Sequence, residues 1–150
     1  MGFHVVTALD GSDTSTDVFE FAIDQFPDAS HTLLHVLDPP ATGYRTGDEA
    51  GADLPDSEFN RNVERETAFL EPLQEQAASA GIQAETDHAI AYTRYKEARA
   101  IIHYATEHEA DLIVVGSRGD RTLSRVLLGS VAETVVRRAP QSVLVVRSDD

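Results

Sequence analysis

A chain of 150 residues with 41% hydrophobic side chains is long enough to bury one core and too short for two, so residues 1–150 are expected to form a single domain. Its 26 acidic against 12 basic side chains leave a net charge of −14, which repels phosphate backbones and anionic lipid and disfavours broad binding to nucleic acid or a membrane surface. The absence of cysteine excludes disulfides, thiolate metal sites and thiol nucleophiles, and with neither a leader pattern nor an apolar run near the roughly 20 residues of a membrane span, a cytoplasmic location is expected.

Lys96 is the only lysine. Abundant carboxylate with arginine kept and lysine nearly lost is the composition expected of a halophilic protein, because the Debye length falls to about 3 Å at 1 M salt and self-repulsion is screened.

Phe3 to Leu9 is a β-branched, apolar run stopped by Asp10-Gly11-Ser12, which reads as a buried strand feeding a turn. Ser12, Asp13, Thr14 and Ser15 offer N-caps, and Val18, Phe19, Ala22, Ile23 and Phe26 then recur at helical spacing up to Pro27. His31 to Leu37 is a second buried strand, ended by Asp38-Pro39-Pro40. From Ala41 to Ser57, Gly, Asp, Thr and Pro predict a surface loop without regular structure.

Phe59, Val63, Leu70, Leu73 and Ala77 keep a helical beat that closes at Gly81, and Pro72 within it predicts a kink or two abutting helices. Ile82 to Ile90 alternates in period two, as a half-exposed strand at a sheet edge does. Ala98, Ile101, Ile102 and Ala105 mark one face of a helix ending in Glu107-His108-Glu109. Asp111 to Val115 is the most uniformly apolar run and is expected at the sheet centre. Beyond a loop from Gly116 to Ser124, Val126 to Arg138 reads as a helix whose terminal Arg137 and Arg138 suit its dipole, and Ser142 to Val146 is a last strand. Strands alternating with helices predict an open parallel sheet covered on both faces.

In such a sheet, ligands collect beyond the carboxyl ends of the strands, at the point where successive connections diverge. With strand order 3-2-1-4-5, the loops Asp10-Gly11-Ser12 and Gly116-Ser117-Arg118-Gly119 converge there. Gly116 and Gly119 permit a tight turn, positive φ and close approach of backbone amides to an anion. Gly129-Ser130 follows after a nine-residue gap, near the start of the final helix, where free amides and the positive dipole end favour phosphate and Ser130 adds a hydroxyl donor.

Asp10 serves either as a turn former before Gly11 or as a ligand contact, and its place at a strand end favours contact. Arg118, Arg121 and Arg125 offer forked donors, but the last two read equally well as solvated surface. The histidines form no metal set: His103 and His108 are five residues apart, and His35 in its apolar strand reads as a hydrogen-bonded structural residue. Ser12, Ser117 and Ser130 lack a Gly-x-Ser-x-Gly elbow, so nothing supports a serine hydrolase. Glu64, Glu66 and Glu71 read as a solvated face.

The stretches Asp111-Leu112-Ile113-Val114-Val115-Gly116-Ser117-Arg118-Gly119, Leu127-Leu128-Gly129-Ser130-Val131-Ala132-Glu133 and Ser142-Val143-Leu144-Val145-Val146 resemble the C-terminal signature of the universal stress protein family. Ala8-Leu9-Asp10-Gly11-Ser12 and Leu34-His35-Val36 extend the resemblance over nearly the whole chain. It implies a five-stranded, Rossmann-like parallel sheet, homodimerisation through Ser142–Val146, and ATP, or ADP or AMP, held between the first and fourth strand ends. By the same resemblance, Ala8 and Val36 border adenine, and Asp10 contacts ribose or a phosphate-bound Mg²⁺. Val115, Gly116 and Gly119 line ribose and phosphate, while Gly129, Ser130 and Val131 hold the phosphates.

The family's usual Gly-x-Pro after the third strand is replaced here by Tyr95-Lys96-Glu97. The implied function is a nucleotide-binding stress or signalling module. No base is evident for attack on a γ-phosphate, so slow hydrolysis is the most that is expected. Two alternatives stand beside it. A ligand-free dimerisation module would keep the glycine loops as vestiges, whereas an enzyme cleaving ATP between its α and β phosphates needs Ser-Gly-Gly-x-Asp-Ser where this chain has Asp10-Gly11-Ser12-Asp13-Thr14-Ser15.

Overall fold

Alternation of apolar residues along the strands divides the single core expected from length into two, one on either side of one sheet, because a sheet covered on both faces buries side chains in both directions. The computed structural model describes residues 2–37, 56–91, 96–117 and 128–148. The strands are β1 (His4–Ala8), β2 (Ser30–Leu37), β3 (Ala84–Ile90), β4 (Leu112–Gly116) and β5 (Ser142–Val146), all paired in parallel in the order β3-β2-β1-β4-β5. The expected edge position of the third strand is therefore observed. Asp111–Val115, expected at the centre, lies one place from it, and β1 is central. The reason is that strands flanking the centre are also covered on both faces, so a uniformly apolar run does not single out the middle strand.

The helices are α1 (Ser15–Gln25), α2 (Asp56–Thr67), α3 (Leu70–Ser79), α4 (Lys96–Glu107) and α5 (Ser130–Arg138). Val5, Leu33 and Val114 face α1 and α3, meeting Phe19, Leu73 and Ala77. Val6, Leu34 and Ile113 point the other way, onto Ile101 and Ala105 of α4 and Val135 of α5. Full burial of a side chain such as Phe19 contributes about 1.5–3 kcal/mol, so each helix is held mainly by its apolar stripe.

Several boundaries differ from expectation. Asp56 and Ser57, expected in the loop, already belong to α2, and residues 41–55 lie outside the described residues. The break in the long helical segment falls at Ala68 and Phe69, four residues before Pro72. Pro72 sits in the first turn of α3, where a backbone N–H has no intrahelical acceptor and its absence is harmless. Ile82 does not begin β3; its amide donates to Ala77 O at 2.9 Å and closes α3 behind Gly81, whose φ is 78°.

The last helix begins at Ser130 rather than Val126, with Gly129 as its N-cap. Val126 and Leu127 lie outside the described residues, as does Tyr95, while Lys96 and Glu97 open α4. No described helix is long and apolar enough to cross a membrane.

Candidate functional site

The turn after β1 is built by its own side chains. Asp10 Oδ1 accepts hydrogen bonds from the Ser12 amide at 2.9 Å and from Ser15 Oγ at 3.2 Å, while the Gly11 amide donates to Ser15 Oγ at 3.0 Å. Gly11 completes the turn with φ 83°, the left-handed region that favours glycine. Asp10 is thus a turn former, and it is also exposed at the mouth of a cavity.

Gly116 does not use the positive φ anticipated from sequence, and Gly119, read in the same way, lies outside the described residues. Among the described residues only Gly11, Gly81 and Glu109 have it. Gly116 gives Val18 room: a Cβ there would stand 3.2 Å from Val18 Cγ2, a tight contact. Gly129 is extended, with φ −64° and ψ 159°.

As N-cap, Gly129 brings no side chain to the start of α5. Its own amide donates to Ser117 O at 2.7 Å, and the Glu133 amide takes the first intrahelical bond, to Gly129 O at 2.9 Å. The amides of Ser130, Val131 and Ala132 therefore lie before the intrahelical ladder begins, at the positive end of the helix dipole.

These residues converge. A cavity of about 660 Å³ is lined by Ala8 and Asp10 from the β1 end, Val36 from β2, Val115 and Gly116 from β4, and Gly129, Ser130 and Val131 from α5. Arg118 and Gly119, assigned to the site from sequence, lie outside the described residues, as do Arg121 and Arg125. Sequence reasoning missed Leu34 and Ile101, which extend the apolar wall, and Glu97 and Glu133, which add carboxylates. Glu133 could have been found, since it stands one turn beyond Ser130 on the same helix face. Glu97 could not, because nothing local says which strand end the start of α4 overhangs.

The charged side chains among the described lining residues are Asp10, Glu97 and Glu133, all acidic. Glu133 is paired with Arg137 at 3.0 Å. No group of three His, Asp or Glu fit to hold a metal ion occurs among the described residues. A cation carried in on phosphate oxygens needs fewer protein ligands, and the Asp10 carboxylate has the required oxygen chemistry.

The histidines have other work. His35 Nδ1 donates to Leu9 O at 2.8 Å, and its ring meets Phe69 edge-on at 5.1 Å, as a structural histidine does. His103 pairs with Glu107 at 3.2 Å, and His108 stacks on Tyr104. The described groups with a shifted pKa lie away from the cavity: burial lowers the pKa of His31, and burial plus the Asp87 carboxylate raises that of Tyr104.

The model of the universal stress protein family matches residues 1–147. The universal stress protein YxiE of Bacillus subtilis (strain 168) is 34% identical over 148 residues, covering 95% of this chain and 97% of that one. The solved structure of the hypothetical protein MJ0577 is similar in fold, with a TM-score of 0.77 at 21% identity over 100% of this chain and 99% of the other. A universal stress protein solved in complex with cAMP has a TM-score of 0.69 at 27% identity over 99% of each chain.

Proposed function

Because the chain belongs to the universal stress protein family, we propose that it binds an adenine nucleotide in this cavity and uses occupancy to set its conformation or its partner during a stress response. The observation that carries the reading is chemical polarity within one cavity. Apolar side chains from β1, β2 and β4 suit a base, and the amides that open α5 suit phosphate. The cAMP held by a relative supports a nucleotide as the ligand class.

In this reading ATP is the ligand, with ADP or AMP able to occupy the same place. Ala8 and Val36 border adenine, while Asp10 contacts ribose or a Mg²⁺ ion carried by the phosphates. Val115, Gly116 and Gly119 line ribose and phosphate, Gly129, Ser130 and Val131 hold the phosphates, and Arg118 adds a forked donor. Magnesium would supply charge neutralisation, which a wall bearing Asp10, Glu97 and Glu133 makes necessary for a polyphosphate.

The protein acts as one domain in the cytoplasm of a salt-adapted cell and pairs with a second copy through Ser142–Val146. Among the described residues β5 is an edge strand with β4 as its neighbour, which supports such pairing. Any hydrolysis is slow.

Equilibrium dialysis with ATP and magnesium tests the site. Ser130→Ala should weaken binding by about tenfold through loss of one donor to a charged group, and Gly119→Asp should weaken it by placing a carboxylate beside the phosphates. Unchanged affinity in both variants removes the assignment.

A second reading, a dimerisation module that holds no nucleotide, is favoured by the carboxylates on the cavity wall. Mass spectrometry of ligand gently released from purified protein separates the two: a co-purifying adenine nucleotide excludes the second.

A further inference from the structure

Ser15 lines the cavity beside Asp10, and its hydroxyl is already committed. It donates to Asp10 Oδ1 at 3.2 Å and accepts from the Gly11 amide at 3.0 Å. A hydroxyl carries one proton, so Ser15 has none left to give a ligand, and its influence on one passes through Asp10.

Asp10 is held twice by the same oxygen. The Ser12 amide donates to Oδ1 at 2.9 Å, a bond local to the turn, and Ser15 reaches Oδ1 from the first turn of α1. Two bonds fill the lone pairs of that oxygen, so the acceptor that Asp10 offers a ligand is Oδ2.

The hold extends beyond the turn. Asp10 is exposed, whereas Ser15 is only 5% exposed and belongs to the buried face of α1 with Val18 and Phe19. Val18 lines the same cavity and lies close enough to Gly116 that a Cβ there would stand 3.2 Å from its Cγ2. Ser15 thereby ties an exposed carboxylate at the end of β1 to a helix seated against the end of β4.

We infer that Ser15 is a positioning residue, which fixes the Asp10 carboxylate so that Oδ2 meets the bound nucleotide already oriented. The inference rests on the nucleotide reading and names what readies one of its contacts. An exposed carboxylate free to rotate loses that freedom when a ligand engages it, whereas one held beforehand does not, and the difference appears as affinity.

Titration calorimetry with ATP and magnesium, applied to wild type, Asp10→Ala, Ser15→Ala and the double variant, tests this. Asp10→Ala should weaken binding by about tenfold, and Ser15→Ala by about fivefold. The double variant should bind as Asp10→Ala does, because the carboxylate through which Ser15 acts is gone. A purely structural role through the Gly11 amide survives in Asp10→Ala and would still show as a further loss. Melting of the ligand-free proteins reads the structural cost separately. Ser15→Cys, close to serine in shape but a weaker donor, should lose affinity in the same direction and by less, and it replaces Ser15→Ala in the cycle if that variant does not fold. Full affinity in Ser15→Ala or in Asp10→Ala, or an equal loss from the serine change with and without the carboxylate, overturns the inference alone. If wild type binds no ATP, the nucleotide reading falls and the inference with it.

Discussion

Ser117 O accepts a hydrogen bond of 2.7 Å from the Gly129 amide, fastening the end of β4 to the start of α5. That bond satisfies the N-cap amide and leaves those of Ser130, Val131 and Ala132 directed at the cavity they line. The position of the proposed phosphate subsite thus depends on a backbone contact between two consecutive elements.

Gly129→Pro isolates this contact. The φ of −64° at Gly129 already matches a proline ring, so the substitution deletes the donor with little strain of its own. Stability should fall by about 1 kcal/mol, and adenine nucleotide affinity by about tenfold or more as α5 drifts from β4. Chemical unfolding together with calorimetry checks both, and full affinity in the variant would show that the tether does not hold the subsite.

Gly11→Ala probes the turn after β1. The added Cβ would lie 3.4 Å from Phe69 Cε1, an ordinary contact, so backbone strain at φ 83° decides the outcome. The cost should be about 1 kcal/mol in urea unfolding. Gly11→Asn, which tolerates the left-handed region better, should recover part of it. Equal losses for both would point to the side-chain contact instead.

His31 predicts a pH dependence of stability. Its Nε2 donates to Phe26 O at 2.8 Å, which leaves Nδ1 as a buried lone pair with no hydrogen-bond partner among the described residues. Burial, assisted by the nearby His4, holds its pKa below the ordinary 6.5. The unfolded chain therefore binds a proton that the folded chain refuses, and this residue costs stability as pH falls below about 6.5 toward the lowered value. Relative to wild type, His31→Gln should show a shallower loss between pH 7 and pH 5 in thermal melts. Parallel curves for the two proteins would sink the assignment.

The net charge of −14 predicts salt dependence. Raising potassium chloride from about 0.01 M to about 1 M shortens the Debye length from about 30 Å to about 3 Å, and the melting temperature should rise as self-repulsion is screened. A melting temperature indifferent to salt contradicts the halophilic reading of the composition.

Much of the fold was legible in the residues because strands and helices impose different periods. The alternation in Ile82–Ile90 marks an edge strand, and β3 is one. The helical beat of Val18, Phe19, Ala22 and Ile23 marks α1, whose buried face those residues form. Boundaries were less legible. The apolar beat runs across the break at Ala68 and Phe69, and the same beat carries on upstream of Ser130, because periodicity records which face is buried and not where hydrogen bonding stops. Gly116 was read for conformational freedom, yet it lacks a positive φ and instead stands close to Val18, a residue on another element.

The sequence by itself determined the alternation of elements, the glycine-bearing turns and the acidic charge, since each follows from local periodicity, turn chemistry or composition. Only the tertiary structure decided that Ala8, Val36, Gly116 and Ser130 share one cavity and that Glu97 joins them. That arrangement depends on strand order and on which helix overhangs which strand end, and these are set by packing between segments distant along the chain.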